Sequence, residues 1–130
     1  MLTASIYIDG AEKGLALLGD RLGIPSANRL DFVHHQSDYG FYRRQEDAFF
    51  YTATTGDFDF AVDLTLFGWD RATLEAQLQV ISQEALRIAL PDESRDNPYD
   101  YLLFERGEAR SISILDHEDE SLEILEKSEG

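Results

Sequence analysis

The residue types that could carry proton or metal chemistry are few: His34, His35 and His117, and two aspartates four apart, Asp59 and Asp63. Their spacing argues against both kinds of chemistry. Neighbouring side chains on an extended chain point to opposite faces, so His34 and His35 do not share a metal ion. A histidine-carboxylate site then needs one of them to meet His117, which lies beside Glu118 and Asp119, and no ligand spacing typical of zinc is present. Asp59 and Asp63 fall on one side of a strand, but ~13 Å apart at the strand rise, too far for an acid–base pair. There is no cysteine, no glycine-rich phosphate loop and no serine in a nucleophile elbow. The expectation is a chain that is not an enzyme, with no cofactor and no metal.

Binding fits these residues better. Twenty-six acids face eleven bases, for a formal net charge of −15. A field of that sign repels phosphate backbones and anionic lipid heads, which disfavours nucleic acid and membrane surfaces. It favours encounter with a basic protein. Asp59 and Asp63 turn away from the Phe60, Val62, Leu64 stripe, and Asp116, Glu118, Asp119 and Glu120 open an acidic C-terminal stretch. These six are the expected contacts to a basic protein partner. The sharpest case is an immunity- or antitoxin-like inhibitor that neutralises a basic toxin or nuclease. The rival reading is a small-molecule regulatory module, with Tyr39, Tyr42 and Trp69 lining a pocket between two halves of the chain.

The elements that must position these residues are legible from periodicity. Ala4, Ile6 and Ile8 mark one face of a strand over Thr3–Ile8. A helix follows, with Asp9 and Glu12 spaced as a capping box and Gly23, Ile24 and Pro25 as its stop. Strands are expected over 29–35, 41–44 and 48–54. Phe58 to Phe67 alternates as the central strand. Asp70 caps a second helix whose apolar positions, Leu74, Leu78, Ile81, Ala85 and Ile88, run on to Leu90 before Pro91. Such a helix is ~30 Å long. After a polar loop, strands over 99–105 and 109–115 join through Gly107-Glu108. Residues 116–130 read as an acidic tail or short helix.

The implied fold is one α+β domain over 1–115, an antiparallel-dominated sheet with two helices packed on one face. The order admits two βαββ units in tandem. At 43% hydrophobic content, a chain of 130 residues builds a core without disulfides. Residues 1–10 lack the pattern of a secretory leader, and no apolar run approaches ~18 residues. A cytoplasmic protein, monomer or homodimer, is expected.

Overall fold

The computed structural model describes residues 1–126. Nine strands form one sheet: β1 (Leu2–Ile8), β2 (Arg29–Asp31), β3 (Ala48–Ala53), β4 (Thr55–Gly56), β5 (Phe60–Leu66), β6 (Ile88–Pro91), β7 (Asp100–Glu105), β8 (Glu108–Asp116) and β9 (Ser121–Glu126). The helices are α1 (Ala11–Leu22), α2 (Gly40–Arg44) and α3 (Arg71–Ile81). The spatial order is β2-β3-β5-β1-β6-β7-β8-β9-β4, antiparallel except where β2 meets β3 and β4 meets β9. The chain is therefore α+β with a mostly antiparallel sheet. The element order is β1-α1-β2-α2-β3 and, after β4, β5-α3-β6-β7, so the second unit has the expected βαββ form while α2 interrupts it in the first. The pairing is unequal, since β2 and β3 run parallel while β6 and β7 run antiparallel.

Both long helices lie on one face. Ile6, Ile8, Val62, Leu64 and Leu66 meet Leu18, Leu22, Leu74, Leu78 and Ile81 there in the main core. Several sequence signals act as written. Gly23 takes a left-handed conformation, and the Ile24 N–H reaches back to the Gly19 carbonyl to close α1. The Asp70 carboxylate accepts from the Thr73 N–H at 2.7 Å to open α3.

Other expectations give way. The second helix ends at Ile81 and not at Leu90. Ala85 sits at φ 64° in the left-handed region, and Ile88–Pro91 forms β6 instead. Ile88, Ala89 and Leu90 are all buried, with Ile88 and Leu90 in the main core and Ala89 in a second one on the opposite face. A strand buried on both faces reads as a continuous apolar run, which periodicity cannot tell from a helix. The strand expected at 29–35 stops at Asp31 and turns, with His34 and His35 in that turn; 41–44 is helical; and the two left-handed residues of the β7–β8 hairpin are Arg106 and Gly107. Ser121–Glu126, expected as tail or helix, pairs with β8 because Leu122 and Ile124 alternate onto a buried surface. Residues 127–130 of that expected tail lie outside the described residues.

That surface is the second core. Tyr7 from β1, Ala89 from β6, Leu103 from β7, Ile112 and Ile114 from β8, and Leu122 from β9 converge on Phe58, which is 0% exposed. Side chains from one face of five strands gather in one cluster with Phe58 because the sheet curls toward that face, as the pairing of β9 with the β4 tip requires. The curl brings β9 to β4, the tip of the β3–β5 hairpin. Asp57 fastens the junction: its N–H donates to the Leu122 carbonyl at 2.8 Å, and its carboxylate accepts from the Ile124 N–H at 2.7 Å. Gly56 is required there. Its φ is +91°, and a Cβ would stand 2.1 Å from the Leu122 carbonyl oxygen. Gly56→Ala is expected to cost about 2–4 kcal/mol in urea unfolding and to strip hydrogen-exchange protection from the Ile124 amide.

Arg87 ties the two halves of the chain. Its N–H and Nε donate to the two Asp9 carboxylate oxygens at 2.8 and 2.7 Å, its Nη2 donates to the Asp57 carbonyl, and its guanidinium lies 5.7 Å from the Phe58 ring centroid. Asp9 is thereby drawn away from the capping role its position suggests.

Candidate functional site

The face opposite the long helices is covered at both ends and open between. At one end α2 sets Phe41 on Phe50, Leu30 and Ala48. At the other, β7, β8 and β9 curl over Phe58. The open floor belongs to β1 and β5, whose alternation sends the apolar residues to the helices and Thr3, Ser5, Asp63 and Thr65 to this side. The register places Thr3 opposite Thr65 and Ser5 opposite Asp63. The result is a trough of about 380 Å³ floored by hydroxyls and one carboxylate.

Asp63 is exposed, and its Oδ1 accepts from the Ser5 hydroxyl at 2.7 Å, while its Oδ2 accepts no hydrogen bond among the described residues. Beside it stand Tyr7 and Tyr101, with ring centroids 5.7 Å apart. Burial raises the pKa of both phenols, and the Asp116 carboxylate raises both further; Asp63 adds to the rise at Tyr7. Both aspartates thus act on the Tyr7 hydroxyl. They come from β5 and the end of β8, distant in sequence, and the curl brings them to one surface. Asp116 makes no hydrogen bond among the described residues.

From Asp116 the chain enters the β8–β9 turn, closed by His117 N–H to Ser121 carbonyl and Glu120 N–H to His117 carbonyl bonds. Asp119 holds this turn: its Oδ1 accepts the Ser121 hydroxyl at 2.6 Å and the Ser121 N–H at 3.0 Å, and these bonds lower its pKa. Glu118 and Glu120 are exposed, and their carboxylates make no hydrogen bond or ion pair among the described residues. The acidic turn that continues from Asp116 is therefore fixed in shape by Asp119.

Asp59 has another task. Helix α1 starts after Gly10 with no side-chain cap of its own, and the Asp59 Oδ2 accepts from the Ala11 N–H at 2.9 Å. A carboxylate at a helix N-terminus satisfies a free donor and complements the dipole. Asp59→Ala should cost about 1 kcal/mol of stability by thermal melting. It should leave partner affinity within about twofold, as expected of a group outside the binding surface.

The aromatic trio has packing contacts of its own. Trp69 donates its indole N–H to Asp47 Oδ2 at 3.1 Å while Asp47 Oδ1 accepts the Phe67 N–H, a structural clamp at the end of β5. Tyr39 stacks on Phe41 and Phe50, and Tyr42 on Phe67. None of the three lines the trough or the larger groove beside α1. The histidines pair locally: His34 with Asp31 at 2.9 Å, His35 with Asp38 at 3.7 Å and His117 with Glu123 at 2.8 Å. Among the described residues no helix is long and apolar enough to cross a membrane.

Tyr7, Tyr101 and Ser5 are the members of this surface that no motif singles out. Ser5 and Tyr7 carry one signal, their alternation with the apolar face of β1, whereas Tyr101 lies in a run, 101–104, that is apolar on both faces. No protein-family model, no curated protein and no solved structure matches this chain.

Proposed function

We propose that this chain is a binding protein for a basic protein partner, and that the partner docks on the trough and the acidic turn that follows Asp116. The observation that carries the reading is that Asp63, on the floor of the hydroxyl-lined trough, and Asp116, distant in sequence, both act on Tyr7, with Glu118 and Glu120 in the turn that follows Asp116. Carboxylate oxygens left open on a rigid sheet are acceptors set in advance for arginine and lysine, so little order has to be imposed on binding. The net charge of −15 steers such a partner toward the surface and makes its association fast and salt-sensitive. A neutralising partner for a basic toxin or nuclease, of the immunity or antitoxin kind, has these requirements.

The experiment is capture from lysate of the source cell on immobilised protein, with an immobilised Asp63→Lys/Asp116→Lys variant run in parallel. A basic protein retained at ~50 mM salt, released by ~0.5 M salt and absent from the variant supports the reading. Species held equally by both resins, or none held at all, count against it.

A further inference from the structure

A second groove lies on the other side of the sheet. It exists because α1 and α3 cover the middle of the helix-side face and leave the β3 end without a helix above it. One wall is a single face of α1, where Glu12, Leu15 and Ala16 fall at helical spacing. The turn after β2 forms the other wall with Asp31 and His34. The floor is aromatic: Tyr51 from β3 and Phe60 from β5 meet edge to face, with centroids 5.7 Å apart at 89°. The enclosed space is about 690 Å³, the size of a small-molecule site.

The charge inside this groove has a definite sign. Arg29 closes one end, but its guanidinium is turned away, with Nη2 on Asp20 Oδ1 and Nε on the Ile24 carbonyl, each at 2.9 Å. His34 is held by Asp31. Glu12 has no hydrogen-bond or ion-pair partner among the described residues. The charge left unmatched is therefore a carboxylate on the helix wall, above an aromatic floor whose ring faces also favour a cation.

We propose that this groove binds a small organic cation, a primary amine or guanidine with a flat apolar body. The body lies on Tyr51 and Phe60, and the charged group is taken by Glu12. The site goes beyond partner binding in the trough, since the two surfaces are on opposite faces of the sheet.

The test is a ¹H–¹⁵N NMR titration of the full chain with phenethylammonium chloride and, separately, sodium phenylacetate, two probes of similar body and opposite charge. The expected result is saturable shifts with the cation at the amides of 12–16, 31–34 and 51–53, and at least tenfold weaker binding of the anion. Glu12→Gln should weaken the cation about threefold, the size of an exposed ion pair. Ala16→Phe, which fills the groove from an exposed helix position, should abolish the shifts. Equal response to both probes, no response to either, shifts that map elsewhere, or indifference to Ala16→Phe would overturn the assignment. So would a trough partner that moves these same amides, because the groove would then belong to that interface.

Discussion

Phe58→Ala is expected to lower stability by about 3–4 kcal/mol, the range for truncating a fully buried phenylalanine. For a chain of this length that is a fall of roughly 10–15 °C in melting temperature. The ring shares one buried cluster with residues of β1, β6, β7, β8 and β9, meets Tyr7 at 5.7 Å between centroids, and carries Arg87 over its face. Its loss removes transfer energy and leaves a cavity that a curled, multiply bonded sheet fills poorly. Two companions separate this cause from general fragility. Phe58→Leu should recover more than half the loss, and Val80→Ala on the exposed side of α3 should change stability by less than about 0.5 kcal/mol. The functional consequence follows from geometry. If the second core loosens, β8 and β9 lose the position that sets Asp116 beside Tyr7, so Phe58→Ala should weaken partner binding even though Phe58 cannot touch the partner.

The second large effect is on affinity. Asp63→Lys with Asp116→Lys should weaken the captured partner about 100-fold or more, since like charges set against a basic surface cost several kcal/mol. Each single reversal should account for about tenfold. Both positions are solvent-exposed, so melting temperature should move little. Asp119 behaves differently. Its carboxylate builds the turn through Ser121, so Asp119→Ala should act by loosening that turn and should be partly restored by Asn, which keeps an acceptor oxygen.

Much of the scaffold was readable from local pattern. Gly23 with Ile24, the Asp70 cap, the alternation of β1 and β5 and the exposed Asp63 all depend on residues within one element, where propensity and period act directly. The errors share one physical origin. Asp9 looks like a cap because Glu12 follows at the right spacing, yet its partner is Arg87, remote in the chain, and the cap comes from Asp59. Ile88 continues the helical period of α3, and only burial from both sides makes 88–91 a strand. Leu122 and Ile124 alternate within an acidic segment whose charge suggests solvent, and the Phe58 cluster overrides that charge by burying them. In each case the deciding contact is distant in sequence.

The candidate surface shows the same limit. Asp63 and the acids after Leu115 were visible as charge, but not as neighbours. Their meeting depends on strand order and on curl, and neither has a signature in one sequence. Tyr7 and Tyr101 were hidden for the same reason. Trp69, by contrast, was conspicuous for its size and is a clamp on Asp47.

The most direct measurement compares two double reversals that change net charge by the same amount. One is Asp63→Lys/Asp116→Lys on the trough; the other is Glu12→Lys/Glu75→Lys on the helix layer across the sheet. Dissociation constants for the captured partner at fixed salt should rise about 100-fold for the first pair and less than about fivefold for the second. Equal losses from the two pairs would mean that overall charge, and not the surface built by the curled sheet, holds the partner.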